Sequence, residues 1–449
     1  MISTKNKFKI NSISLTNFVF AFFPISFILG NFATNANVIV FCFLGIYNLK
    51  HKILRFNLNY PLKFIFLFFL LVFFSTSLSL INSFYFSVFE DSNFNRFIKS
   101  ILFFRYFLIL LVVYLLSESD IINFKYFFIT AALSPFLISA DVIFQYTFGY
   151  NIVGLPGDHH NTSFFGDERI SGGFIQNFSF FTLLFSFYFF RKNKKYIKIF
   201  LTSLIVCILS MGIIVSGNRI PFFLFLIGLI FLLIFNKKLR LTMLVGILVL
   251  LATFKIITFY DDYIKLTYKS FYDNVNHIAI HLSERIKSDK SEIILLEKNE
   301  VFAEPETNGH RKLFFTAIEV WKLNKIFGNG IKSFREDCHK IIKKQSRGMC
   351  SNHPHNYYVE ILTDTGIVGI FLVLFMGFVF FVFLRKNYQL FGNTSPVSLF
   401  FLSTIISFIL QIFPIRSTGS IFTTNNTTFI ILLVAIIISY KKLLKGKNF

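Results

Sequence analysis

Residues 97–117 read FIKSILFFRYFLILLVVYLLS. Apart from Lys99 and Arg105, every position is apolar, a hydroxyl or a tyrosine. About 20 such residues in a helix cross the hydrocarbon core of a bilayer, and this run has that length. The same reading applies along the chain at 11–30, 34–49, 62–82, 122–145, 172–190, 196–215, 219–236, 239–260, 357–384, 396–414 and 426–440, which makes twelve spans. The runs 34–49 and 426–440 are short, so eleven is the alternative count. Hydrophobic residues are 54% of the 449, and the mean hydropathy is +0.64. The expected fold is an all-α polytopic membrane protein, one integral domain over 1–449, with about 12 transmembrane helices.

Charge orients the spans. The formal net charge of +22 lies mostly in short loops between apolar runs, the positive-inside pattern, and does not point to nucleic acid. With the N-terminus in the cytoplasm, the cytoplasmic ends are 1–10, 49–63, 118–125, 191–198, 236–240, 385–395 and 440–449. Together they hold 22 of the 45 Lys and Arg residues. Both termini are therefore expected inside. The weakest of these ends is 118–125, where Glu118 and Asp120 face a single Lys125. The run 11–30 follows Lys5, Lys7 and Lys9 without a small-residue cleavage site and reads as a retained signal-anchor helix. The 68 phenylalanines read as lipid-facing bulk.

Two outward segments exceed tight turns: 146–171 and 261–356. The second, between spans 9 and 10, carries helix-like stretches at 271–287 and 311–323, so a small folded cap is expected. There is no internal repeat, and the single large loop makes the two halves unlike. That counts against transporters built from inverted repeats.

Cys42 and Cys207 sit in apolar spans as small hydrophobes. Cys338 and Cys350 share the large outward loop, where a disulfide is permitted; two partly buried thiols are the alternative.

Cytoplasmic ends use lysine, with only Arg55, Arg191, Arg240 and Arg385 among them. The other nine arginines lie on or near the outward half: Arg96, Arg105, Arg169, Arg219, Arg285, Arg311, Arg335, Arg347 and Arg416. Orientation needs only charge, so a preference for arginine points to forked binding of phosphate or carboxylate. Each one singly reads as interfacial snorkelling. As a group they suit an anionic lipid head such as a membrane-embedded pyrophosphate. Arg105 stands inside a span and should face a partner or cavity. Asp141, on the fifth span, is a candidate to neutralise an arginine or line the same cavity.

The densest polar constellation is Ser351-Asn352-His353-Pro354-His355-Asn356-Tyr357-Tyr358-Val359-Glu360, where loop passes into membrane. A histidine there suits a general base, because its ordinary pKa is near neutral. Pro354 limits local freedom. Three readings stay open: a base, a metal set of His353, His355 and Glu360 with help from His159–His160, or histidines that merely cap a helix.

This segment, with Thr365-Gly366-Ile367-Val368-Gly369, resembles the O-antigen ligase and polymerase family. So do Gly309-His310-Arg311 with Trp321, Phe327-Gly328-Asn329-Gly330-Ile331 with Phe334, Ser216-Gly217-Asn218-Arg219, Glu168-Arg169-Ile170-Ser171-Gly172-Gly173-Phe174, and Asp141 with Gln145, Gly149 and Gly154. The resemblance covers roughly 140–370. Asn218 and Ile220-Pro221 depart from the family's usual small residues.

The resemblance implies a GT-C-like fold in the bacterial inner membrane and an inverting, metal-independent glycosyl transfer without cofactor at the periplasmic face. The donor would be a glycan on undecaprenyl diphosphate. The acceptor would be lipid A–core for a ligase or a second lipid-linked glycan for a repeat-unit polymerase, with the ligase placed first. His355, then His353, would be the base. Arg219, Arg311 and Arg169, with Arg105 and Arg416, would hold the diphosphate. Asn356, Glu360, Asp141 and Glu168 would support the site. A lipid-linked glycan flippase or transporter is the reading from another class.

Overall fold

The computed structural model describes residues 11–54, 56, 58–85, 91–157, 159–273, 309–345, 349–416, 419–439 and 442. These are almost wholly helical: one isolated antiparallel bridge, Tyr150 with Pro156, is the extent of β pairing among them. In chain order the helices are α1 (Ser12–Ala21), α2 (Phe23–Ile28), α3 (Asn31–Leu49), α4 (Tyr60–Tyr85), α5 (Asp91–Glu118), α6 (Phe124–Phe148), α7 (Ser171–Phe189), α8 (Lys195–Val215), α9 (Arg219–Phe235), α10 (Arg240–Tyr260), α11 (Gly309–Leu323), α12 (Phe334–Gln345), α13 (Tyr357–Lys386), α14 (Pro396–Gln411) and α15 (Thr424–Ile438). The segment 262–273 is also helical.

Eight helical stretches among the described residues are long and apolar enough to cross a membrane, so this is a multi-pass membrane protein. Four shorter apolar helices, α1, α9, α14 and α15, stand where four further spans are expected. The run 34–49, expected to be short, is of full length: its helical stretch is Asn31–Ile53. The run 11–30 is not one helix, because Pro24 opens α2 and splits the segment after Ala21.

Polar contacts identify two ends. At one, Ser12 donates to Asn48 (2.8 Å), Asn17 accepts from Asn123 N (2.6 Å), and Lys442 pairs with Asp120 (3.1 Å). The stretch 118–125 and Lys442 thus lie on the same side. At the other, the cap end, Tyr146 donates to Asp261 (2.8 Å) and Asn161 to Val215 O (2.7 Å).

The cap has a small core of its own. Leu313, Ala317, Val320, Phe334, Cys338, Ile341 and Val359 pack together, and Cys350 leans on them. Cys338 and Cys350 are bridged, with Cα atoms 5.7 Å apart. The helix expected over 311–323 is α11. Of the stretch 271–287, only 271–273 is described and helical; the remainder, with Arg285, lies outside the described residues, as does Arg347.

A glycine interlock fixes the cap to the bundle. Within α13, Gly366 has φ 66° and ψ −163°, a conformation essentially restricted to glycine, and the helix kinks there. A Cβ on Gly366 would collide with Ile326 O, and one on Gly328 (φ 73°) with the backbone of Asp364. The two chains therefore lie backbone to backbone: Asn329 N donates to Thr363 O (2.9 Å), Gly330 N to Asp364 O (2.9 Å) and Ile367 N to Lys325 O (3.0 Å). Beyond the kink α13 is exposed or half-buried, with Phe375, Phe380 and Phe383 packed on rings of α4 and α14.

Candidate functional site

Histidines 353 and 355 stand in the turn before α13. Their ring centroids are 4.2 Å apart, and Ser351 Oγ lies 3.4 Å from His355 Nε2. His355 has φ 56°, a left-handed conformation that costs a side chain of this kind energy and persists only where surroundings hold it. What holds it is the next residue. Asn356 Oδ1 accepts from Tyr358 N (3.0 Å) and Val359 N (3.2 Å), capping α13, while its Nδ2 donates to Pro414 O (2.8 Å). Tyr358 Oη donates to Ile412 O (2.6 Å), and Gln411 Nε2 donates to Tyr357 Oη (2.9 Å). The histidine turn is thus clamped between the start of α13 and loop 412–416.

That loop is tied in turn to α7 by Arg416. Its Nη1 donates to Gln176 Oε1 (2.9 Å) and Leu410 O (3.3 Å), and its Nη2 donates to Asn177 Oδ1 (3.0 Å). Burial lowers its pKa, yet a guanidinium still keeps its charge here. Arg416, expected among the diphosphate ligands, has its fork filled by protein and acts as a tie.

The opposite flank of the same helix start carries the turn Ser216–Arg219. Asn218 Oδ1 accepts from Gly172 N (3.2 Å), and its Nδ2 donates to Arg169 O (3.1 Å). His160 packs on Gly217, and His159 stacks on Tyr263 with centroids 4.2 Å apart. Among the described residues, the half-buried Arg219 guanidinium makes no hydrogen bond or ion pair within the protein. Burial pushes the Tyr268 phenol above its usual range while Arg219 pulls it back, which places the guanidinium near that hydroxyl. Arg169 and Glu168 are exposed. A Cβ on Gly173 would meet open space, so the first turn of α7 is open at that residue, while Ser171, Gly172 and Phe174 are buried. A helix start of this kind, flanked by guanidinium groups, suits an anion.

Other expected site residues are placed elsewhere. Asp141 is fully buried; its carboxylate accepts from Ile152 N (2.9 Å) and from Ser163 Oγ, so it holds the 150–165 loop rather than an arginine. Gln145 holds the same loop through Ser163 N (2.8 Å). Arg105 Nη2 donates to Tyr106 Oη (2.7 Å), in the middle of α5 and away from the arginine turn in the chain. Arg311 opens α11, but its side chain lies outside the described residues.

Among the described residues the ligand set weighed for a metal is not gathered, and Glu360 accepts from Ile421 N (2.8 Å). Among the described residues, the one grouping of three ligand-bearing side chains is Cys338, His339 and Cys350, whose ligand atoms lie within 4.8 Å. With the two sulfurs bonded to each other, it offers one imidazole.

Sequence reasoning missed the anchor behind the site. Asp364 is fully buried and accepts from Lys332 N (2.6 Å), Ser333 N (3.2 Å) and Ser333 Oγ (2.8 Å). Ser75 Oγ donates to Asp364 O (2.6 Å), and Thr76 Oγ1 accepts from Ile331 N (2.9 Å). Arg96 meets Glu336 (3.3 Å), Asp337 (3.6 Å) and Asn329 O (3.1 Å). Burial raises the Asp337 pKa and Arg96 opposes it. An acid inside an apolar run, Asp364, was the available signal.

Residues 204–374 match the family model described as O-Antigen ligase. The stretch includes the turn Ser216–Arg219, the cap and the histidine turn, so the resemblance to the O-antigen ligase and polymerase family holds across it. No curated protein matches the chain.

Proposed function

We propose, on the premise that residues 204–374 form an O-antigen ligase-type domain, that the protein moves a glycan from undecaprenyl diphosphate to an acceptor hydroxyl on lipid A–core at the periplasmic face of the bacterial inner membrane. One observation carries this reading. His355 and Arg219, both within the matched stretch, are tied to the two flanks of one helix start: through Asn356, Pro414, Arg416 and Gln176 on one side, and through Asn218 and Gly172 on the other.

His355 takes the proton of the acceptor hydroxyl, with His353 in ring contact as the second candidate. The acceptor oxygen bonds to the anomeric carbon as its bond to the diphosphate oxygen breaks, and the configuration inverts. Charge then grows on the diphosphate. Arg219, Arg169 and Arg311, with the first turn of α7, receive it, and Arg105 stands deeper. Membrane embedding brings both lipids to one interface, which supplies proximity. No step calls for a nucleotide or a metal.

The test is a reconstituted assay in EDTA with purified protein and undecaprenyl-diphosphate glycan, with and without lipid A–core. Glycan on lipid A–core is the expected product. A lengthening ladder on the donor lipid would make the protein a polymerase, and no product under any donor would turn the reading toward transport. His355→Asn is the sharper variant, because asparagine tolerates the left-handed backbone. Loss of transfer with unchanged thermal stability is expected, and full activity would remove His355 as the base.

A further inference from the structure

The loop that leaves α6 is built the wrong way round for water. From Gly149 to Gly157 the chain reads GYNIVGLPG, with no charged residue in a protein of net charge +22. Its polar side chain points inward. Asn151 is fully buried; its Oδ1 accepts from Val153 N (3.1 Å) and Leu155 N (2.7 Å), and its Nδ2 donates to Ser163 O (3.0 Å). Two buried residues of α6 hold the same turn: Asp141 accepts from Ile152 N (2.9 Å), and Gln145 Nε2 donates to Pro156 O (3.1 Å). Its apolar side chains point outward. Ile152 is 67% exposed and Val153 64%, with Tyr150 exposed beside them. Apolar groups displayed on a polar, buried frame call for a partner.

Helix α6 sets the height of this tip. Its 25 residues rise about 37 Å against about 30 Å of hydrocarbon, so its cap end reaches the headgroups. Tyr126, Leu133, Leu137 and Phe148 are exposed and stand seven, four and eleven residues apart, so they share one face, the one toward lipid. That face runs into the loop without a break: Phe144 packs on Phe148 (ring centroids 4.5 Å apart) and on Tyr150 (6.0 Å). Aromatic rings at this height are the usual mark of a membrane boundary. The far end of the loop is tied to the arginine turn. Asn161 Nδ2 donates to Val215 O (2.7 Å), and His160 packs on Gly217.

We infer that Tyr150, Ile152 and Val153 form an interfacial anchor, seated between the headgroups and acyl chains of the leaflet at the cap end. The partner is the bilayer itself. Two arguments select it over a second protein. The tip continues the lipid-facing stripe of α6, so lipid already covers the surface it extends. Three side chains also fall well short of the roughly 800 Å² per partner that a stable protein interface buries, whereas a small apolar surface is enough to seat an element in the headgroup boundary. The loop is pinned by Asp141 and Asn151 at one end and by Asn161 at the other. Seating its tip therefore fixes the height of the turn Ser216–Arg219 against the lipid surface. The inference stands on the multi-pass architecture, whatever reaction the site carries out.

Trp321 is the one tryptophan in the chain, so Trp321→Phe clears the background for fluorescence. Ile152→Trp, Val153→Trp and Asp167→Trp would each be made in that background and placed in nanodiscs. Asp167 is exposed at the same end of the molecule and serves as the reference. Lipid brominated on the upper acyl chain should quench the tryptophans at 152 and 153 strongly and the one at 167 little. Aqueous iodide should do the reverse. If Trp321→Phe does not fold, the same variants are read with Trp321 in place and its signal subtracted. As a second measurement, Leu155→Trp would be combined with Ile152→Asp and Val153→Asp. The two aspartates replace exposed side chains and leave the buried supports intact. They should cost the tryptophan at 155 its quenching by brominated lipid and open it to iodide. Equal quenching at 152 and 167 by either agent would overturn the inference. So would a tip that neither quencher reaches, which would make it a contact between protein copies, and so would a signal at 155 that the aspartates leave unmoved.

Discussion

Arg416 and Arg219 sit on opposite flanks of the cap end of α7, and they are used differently. Arg416 is 8% exposed and fills its fork with Gln176, Asn177 and Leu410 O. Arg219 is half-buried, its neighbour Asn218 does the tying, and its own guanidinium makes no hydrogen bond or ion pair among the described residues, with the Tyr268 hydroxyl nearby. In a membrane protein an arginine near the apolar core must find partners or a cavity. Where protein supplies the partners the arginine is a rivet. Where protein leaves them out, the geometry has room for an anion from outside.

The largest effect is expected at Arg219. Arg219→Ala should lower turnover on the order of 10²–10³-fold, the usual cost of losing a group that receives developing charge. Its melting temperature in detergent should stay at the wild-type value, because no described protein bond is lost. Arg416→Ala should show the converse. It strands the acceptor oxygens of buried Gln176 and half-buried Asn177, while Leu410 O keeps Phe413 N; a buried acceptor left without a donor costs about 1–3 kcal/mol. The melting temperature should fall by several degrees, with activity declining as folded protein declines. Arg416→Ala with wild-type stability and abolished turnover would break the comparison.

Gly366→Ala tests whether the cap is locked to the bundle by backbone contact. The glycine-only conformation alone costs roughly 1–3 kcal/mol for another residue, and the collision with Ile326 O adds to it. Limited proteolysis should cut the cap of this variant faster while the membrane helices stay protected. Equal cleavage rates would mean that the Asp364–Ser333 and Arg96 contacts hold the cap without the glycines.

How far the sequence could be read follows the same division. Eight of the twelve expected spans are matched by helices long enough to cross, because bilayer thickness imposes a length on an apolar run. The charge pattern even placed 118–125 with the C-terminal end, where Lys442 meets Asp120. The break at Pro24 was missed because an apolar run hides a helix start inside it. The histidine turn was found as a dense polar cluster, and it sits where loop passes into helix α13. What composition could not separate was a filled arginine from an open one: Arg416 and Arg219 read alike until Gln176 and Asn177, distant in the chain, are seen to complete one fork. Asp141 misled for the same reason, since its partners Ile152 and Ser163 are set by how the loop folds.

The smallest effect is expected at Arg169, and it sets the boundary of the comparison. Arg169 is open like Arg219 but exposed, and its described hydrogen bond uses the backbone carbonyl. A guanidinium in water is screened by salt over about 10 Å and contributes roughly 0–1 kcal/mol to an ion pair. Arg169→Ala should therefore raise the KM for the lipid-linked donor at most about five-fold and leave kcat nearly unchanged. Raising ionic strength should shrink that difference further, while the Arg219→Ala defect, made in a half-buried place, should persist. If Arg169→Ala instead matches Arg219→Ala in kcat at high salt, exposure is not what separates the two. The bound donor would then have to bury Arg169 beneath its own glycan, and the first turn of α7 would be covered only in the complex.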